Sequence, residues 1–119
     1  MICGTGIDLF LTKRFDPHRL DPDFLSQIFT LKEIEELERS GPLRDRPAML
    51  FTLKEAALKA RGNGLSRGWA WRTLAVTADD RVIDADQEGS CVIHAAAAQC
   101  RRYSLALVLF EDRTRRTTA

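Results

Sequence analysis

The chain has 119 residues, 45% of them apolar and 29% charged, with a formal net charge of +1. This is the composition of a soluble globular protein, and the length suits one domain over residues 1–119 with a modest core. A balance so near neutrality argues against nucleic-acid binding by bulk electrostatics, and no apolar run approaches the ~20 residues of a bilayer span, so neither nucleic acid nor membrane is expected as a partner.

Cys3, Cys91 and Cys100 have no CxxC spacing and are odd in number, which suggests neither a disulfide framework nor a zinc site. Met1 to Asp8 lacks the basic region and long apolar run of a signal peptide. Both observations point to a reducing, cytoplasmic setting.

Met1 to Leu11 reads as a strand carrying Gly4 and Gly6 inside it and Asp8 near its end. Glycine within a strand often marks the close approach of a backbone or a ligand. Asp8, between Ile7 and Leu9, is either a strand-end turn residue or a metal ligand at a sheet edge. A turn-rich connection follows, in which His18 has no nearby partner.

Phe24, Leu25, Ile28 and Phe29 have helical spacing, with Asp21 as N-cap before Pro22. Thr30-Leu-Lys-Glu33 has the spacing of a capping box and opens a second helix. That helix, Leu31 to Arg39, is expected to turn Leu31, Ile34 and Leu37 inward and Glu33, Glu35, Glu36 and Glu38 to solvent.

A long helix is predicted from Ala48 through Arg61, apolar on almost every side. Such a helix is usually buried, and charges in buried surroundings are costly unless paired or ligated. At 100° per residue Thr52, Glu55 and Lys59 form one narrow stripe, with Lys54 and Arg61 on the opposite side. The stripe reads as one wall of a site, although an ordinary Glu55–Lys59 pair would also explain it. Gly62-Asn-Gly64 either caps the helix or lets the backbone approach a phosphate.

From Trp69 the period shifts toward 2. Residues 73–77, 81–84, 91–94 and 103–110 read as strands, with turns at 79–80 and 87–90. Ala95 to Ala98 favour helix by propensity. A short strand leading into a turn over 99–102 is the preferred reading. Residues 111–119 are polar and expected to fray. The order gives an α+β fold, an antiparallel sheet packed on a long central helix with shorter helices.

Gly6-Ile-Asp8, Thr30-Leu-Lys-Glu33 and Phe51-Thr-Leu-Lys-Glu-Ala-Ala-Leu-Lys-Ala-Arg-Gly-Asn-Gly64 together resemble the 4′-phosphopantetheinyl transferase superfamily. The likeness is greatest to its small members, the holo-acyl-carrier-protein synthases. It implies a magnesium-dependent transfer of phosphopantetheine from coenzyme A to a serine of an acyl or peptidyl carrier protein. It implies Asp8 and Glu55 as metal ligands and Lys59 beside the pyrophosphate and leaving oxygen. Glu55 would help to deprotonate the carrier serine, directly or through water. Lys54, Lys59, Gly62 and Gly64 would contact coenzyme A, and Arg14, with Lys13 beside it, the carrier protein. Small members assemble as homotrimers.

This sequence has Ala96-Ala-Ala-Gln99 where those members carry a Ser-x-Ser-His-like motif. His94 precedes Gln99 by five positions, so in a regular strand it faces the other side. The helix motif also resembles the second lobe of surfactin-synthetase-type transferases, whose first lobe supplies the missing motif. The alternatives are thus a homo-oligomer, a half-site that needs a partner lobe, or a non-catalytic member that binds a carrier protein or partner subunit.

Overall fold

The computed structural model describes residues 1–15, 21–39, 46–62, 70–84 and 91–114. Strand β1, Ile2–Leu11, leads into a 3-10 turn at Thr12–Arg14. Helices α1 (Pro22–Ile28), α2 (Leu31–Arg39), α3 (Arg46–Arg61) and α4 (Ala70–Thr73) follow. Strands β2 (Leu74–Val76), β3 (Val82–Asp84), β4 (Cys91–Gln99) and β5 (Tyr103–Asp112) complete the described elements. The main sheet is antiparallel with order β1-β5-β4, and β2 and β3 form a separate antiparallel ribbon. The predicted α+β architecture is the observed one.

The long helix lies across the inner face of the sheet, against β1 and β5. Small residues make this possible. A Cβ on Gly4 would fall 2.0 Å from the Ala60 carbonyl oxygen, and one on Gly6 1.9 Å from that of Ala56. The glycines therefore mark a backbone–backbone approach. Two residues of strand advance ~6.8 Å and four of helix ~6.0 Å, so the two ladders stay in step. Asp8 is the next inward position along β1, and Phe10 the one after. Phe10 packs on Phe51 with ring centroids 5.0 Å apart, and Phe51 stacks on Trp71 at 5.2 Å.

Several local expectations need correction. Ile34 and Leu37 of α2 pack against the core as expected, but Leu31 does not: it is 72% exposed, while Glu33 is only 2% exposed. Glu33 is held by the capping box itself. Its Oε1 accepts from the Thr30 N–H at 2.9 Å, and the Thr30 hydroxyl accepts from the Glu33 N–H at 3.2 Å. The carboxylate then continues into the core to meet Lys54. The long helix starts at Arg46, with Pro47 in its first turn, where a missing N–H costs nothing. Trp71 and Thr73 belong to the short α4, because Trp71 is buried against Phe51.

Ala95 to Ala98 continue β4 as far as Gln99, so sheet pairing overrides alanine's helix propensity. The turn after them closes with Cys100 N–H donating to the Tyr103 carbonyl at 2.9 Å. Glu111 and Asp112 do not fray. They lie in β5, and the Asp112 N–H donates to the Met1 carbonyl at 2.8 Å. The expected turn at 79–80 is present, with Asp80 at φ 63°. His18, Gly64, the turn at 87–90 and residues 115–119 lie outside the described residues.

The other face of the sheet is apolar and open. Ile7 pairs with Leu107 and Leu9 with Leu105. All four are exposed, Ile7 and Leu9 by 61% and 62%. Ala96 and Ala98 continue these two rows on β4. No described helix is long and apolar enough to cross a membrane.

Candidate functional site

The β1–α3 ladder brings Asp8, Glu55 and Lys59 together. Asp8 is buried on the inward side of β1, and its Oδ1 accepts from Lys59 Nζ at 2.9 Å. Lys59 Nζ also donates to the Ile7 carbonyl at 3.1 Å, which fixes the ammonium at the edge of β1. The Lys59 side chain is half exposed and so can reach a ligand. Glu55 is half-buried one turn earlier on α3.

Burial first, and the Asp8 carboxylate second, push the Glu55 carboxyl above the usual carboxylate range, while Lys59 pulls it back. Two carboxylates thus repel across a partly dry gap. Asp8 Oδ2 is buried and accepts no hydrogen bond from any described group. An orphaned carboxylate oxygen beside a second carboxylate is the arrangement a divalent cation relieves. Among the described residues no group of three or more His, Cys, Asp or Glu side chains could hold a metal. A two-carboxylate seat suits magnesium, which keeps several waters and shares phosphate oxygens. The residues present therefore fit that ion.

Thr52, on the predicted stripe, does not join the site. It is buried, and its hydroxyl donates to the Ala48 carbonyl at 2.7 Å. Lys54 does not join it either. Lys54 is fully buried and meets Glu33 Oε1 at 2.5 Å, the Ile28 carbonyl at 2.7 Å and the Trp71 carbonyl at 3.1 Å. All three ammonium donors are occupied within the core. Burial holds Lys54 below the ordinary lysine range, against the pull of Glu33. Glu33 Oε2 also accepts from the Val76 N–H at 2.7 Å. One ion pair thereby ties α1, α2, α4 and β2 to the residue that precedes Glu55. The sequence carried the clue: a lysine on a helix apolar nearly all round needs a carboxylate partner.

Gly62 ends α3 with φ 83°, and its N–H donates to the Leu58 and Lys59 carbonyls. A Cβ there would meet nothing within 4 Å, so the backbone angle is what calls for glycine. Arg61 is turned to Asp84 and Thr73. Lys13 and Arg14 are exposed in the turn after β1.

At the second wall, Gln99 has the inward parity of β4, and its Nε2 donates to Ser104 Oγ at 2.8 Å. His94 stands on the opposite face, as its parity predicts, 3.0 Å from Glu111.

Residues 4–108 match the family model described as the 4′-phosphopantetheinyl transferase superfamily. The chain is 32% identical over 117 residues to a holo-[acyl-carrier-protein] synthase of Halalkalibacterium halodurans, covering 93% of this chain and 97% of that one. It is 30% identical over 125 residues to a protein of the same name from Koribacter versatilis, covering 94% and 100%. Its fold is that of a crystallised holo-(acyl-carrier-protein) synthase from Bacillus anthracis in complex with CoA (3′,5′-ADP). That likeness has a TM-score of 0.76 at 22% identity and covers 94% of this chain and 98% of the other. With a family model matched across nearly its whole length and relatives matched end to end, the chain belongs to the 4′-phosphopantetheinyl transferase superfamily.

Proposed function

We propose that the chain is a holo-[acyl-carrier-protein] synthase. It moves the phosphopantetheine arm of coenzyme A onto a serine hydroxyl of an apo carrier protein. The observation that carries this reading is the convergence of Asp8, Glu55 and Lys59, with an unsatisfied Asp8 oxygen, in a member of this superfamily. The serine oxygen attacks the phosphorus that carries the pantetheine arm. The bond from that phosphorus to the bridging oxygen breaks, and adenosine 3′,5′-bisphosphate leaves. Glu55, its basicity raised by its surroundings, takes the serine proton. Lys59 holds positive charge where the leaving oxygen gains negative charge. Asp8 orients Lys59. Asp8 and Glu55 are the residues that would hold magnesium, which supplies charge neutralisation to the pyrophosphate oxygens. By the same resemblance Gly62 and Gly64 are coenzyme A contacts, and Lys13 and Arg14 carrier contacts.

The open apolar sheet face supports assembly with copies of the chain, a homotrimer by family resemblance. Pairing of β1 with β5, the first and last described strands, supports one domain over residues 1–119. Its free cysteines suit the cytoplasm.

The test is to mix the protein with coenzyme A, Mg²⁺ and apo carrier proteins and weigh the carrier. The expected result is a gain of one phosphopantetheine. No gain with any of several carriers would remove the reading. A carrier-binding member without catalysis is favoured by one observation, the absent Ser and His at 96–99. Calorimetry separates the two, because coenzyme A binding that strengthens with Mg²⁺ supports the enzyme.

A further inference from the structure

The long helix is held on two opposite sides by contacts of different kinds. Toward β1 the contact is bare: Gly4 and Gly6 meet the Ala60 and Ala56 carbonyls with no side chain between. Such a contact sets the separation of strand and helix. It gives the ridges of the helix no side chain to lock against, so it leaves the rotation of α3 loosely set. Most of the remaining circumference is buried apolar surface, whose attraction has no direction. The Thr52 hydroxyl bonds within the helix itself. Among the described residues from Pro47 to Leu58, the side chain with a directed bond to another element is Lys54. It leaves α3 on the side opposite the Glu55–Lys59 stripe and ends on Glu33 of α2, the Ile28 carbonyl of α1 and the Trp71 carbonyl of α4.

The two carboxylates of the candidate metal seat pull against that hold. Asp8 raises the Glu55 carboxyl because the two repel. In the metal-free protein a roll of α3 is the motion that would relieve them. A roll of ~20° carries a side-chain tip ~5 Å from the helix axis through ~2 Å. A constellation of ligands must be held to ~0.5 Å. Glu33 is a firm anchor against such a roll. It is buried, and its two oxygens also accept from the Thr30 and Val76 N–H groups.

We propose that the Glu33–Lys54 pair positions the divalent-cation seat: it fixes the rotation of α3 and so keeps Glu55 facing Asp8. The inference rests on the metal seat of the function proposed above. Glu33 and Lys54 are positioning residues, acting through the helix. Glu55 responds to Asp8 and Lys59 rather than to this pair, whose charges cancel. A seat held ready binds its ion more tightly than one that must first be assembled.

The test titrates Mn²⁺, a paramagnetic stand-in for Mg²⁺ at oxygen ligands, into the full chain and reads bound metal by electron paramagnetic resonance. Glu33→Gln with Lys54→Met removes the pair, keeps a capping-box residue and leaves the net charge unchanged. Glu33→Asp keeps both charges and shortens the carboxylate arm by a methylene. Arg46→Gln is the control. It loosens the first turn of α3, where Arg46 pairs with Glu36 and Asp80, ~13 Å along the axis from Glu55. Thermal melts of the same samples report stability. The double variant should bind Mn²⁺ about tenfold more weakly than the parent, and Glu33→Asp about threefold. Arg46→Gln should melt lower yet bind within about twofold of the parent. If the double variant does not fold, Glu33→Asp carries the comparison. Parent-like affinity in the folded double variant or in Glu33→Asp, or an equal loss in Arg46→Gln, overturns the proposal alone. A parent that binds no Mn²⁺ overturns the metal seat, and this inference with it.

Discussion

Gly6 of β1 faces Ala56 of α3 so closely that a methyl group on the glycine would lie 1.9 Å from the Ala56 carbonyl oxygen. The obstacle is backbone, so no rotamer change relieves it. Gly6→Ala must push strand and helix apart, and the strand carries Asp8 with it. We expect a stability loss of about 2–4 kcal/mol, at the upper end of overpacking costs. Transfer activity should fall further than the folded fraction does. Thermal melts and a carrier assay on the same samples check this. A variant as stable and active as the parent would refute the close-packed ladder.

Glu33 and Lys54 are both buried, and each is the other's charge partner. Removing one leaves a buried charge uncompensated. Glu33→Gln or Lys54→Met alone should cost about 3–5 kcal/mol, whereas the double variant should cost less than the sum of the two. Denaturant unfolding of the four proteins gives the coupling directly. Additive losses would mean that the pair is not coupled.

Glu55→Gln should abolish transfer while leaving the metal-free protein as stable as the parent or more so, because it removes repulsion from Asp8. The pH dependence follows from the same raised carboxyl. The folded protein holds the Glu55 proton to higher pH than the unfolded chain does. This stabilising contribution is present below the unfolded value, ~4.3, and is lost as pH rises through the folded one. The metal-free parent should therefore lose a stability increment across that window, and Glu55→Gln should not. Magnesium binds the ionised carboxylates, so its rise in Tm should be larger at pH 7 than at pH 5. Melts with and without Mg²⁺ at both pH values decide it. An equal metal effect at both would count against Glu55 as a ligand.

Leu107 lies at the centre of the exposed sheet face, between Ile7 and Ala96. Leu107→Asp should lower the oligomeric state in light scattering without unfolding the subunit, since the side chain points away from α3 and the core. An unchanged mass would show that this face is not where copies meet.

The fold class was legible because apolar periodicity in the sheet and the long helix is strong. The glycines of β1 and the helix motif also sufficed to bring Asp8, Glu55 and Lys59 to one place. The burial of Glu33 departs from the helical pattern for a physical reason. A helix period counts leucines inward and glutamates outward, and it cannot register that a capping glutamate continues into the core to meet a lysine from another helix. Lys54, already on the side of the helix away from Glu55, is given to coenzyme A by the resemblance alone, and its core partner Glu33 comes from another helix that no local pattern links to it. The period shift places Thr73 in a strand, but Thr73 closes the short α4, whose Trp71 stacks on Phe51, and the strand begins at Leu74.

The strand order has a consequence for how the molecule comes into being. β5 is the middle strand of the main sheet, yet ribosomes make it last of the three, while β1 is made first. The hydrogen bonds between Met1 and Asp112 close a separation of 111 positions. During synthesis β1 has no partner in that sheet, and α3, greasy on most sides, has no sheet to cover it. Contacts so distant along the chain form slowly and only after much of the chain has ordered. The helical half, with its internal ion pair, can organise early. The seat of Asp8 must wait for β5, so a nascent or shortened chain without that strand is an aggregation hazard before it is ever an enzyme.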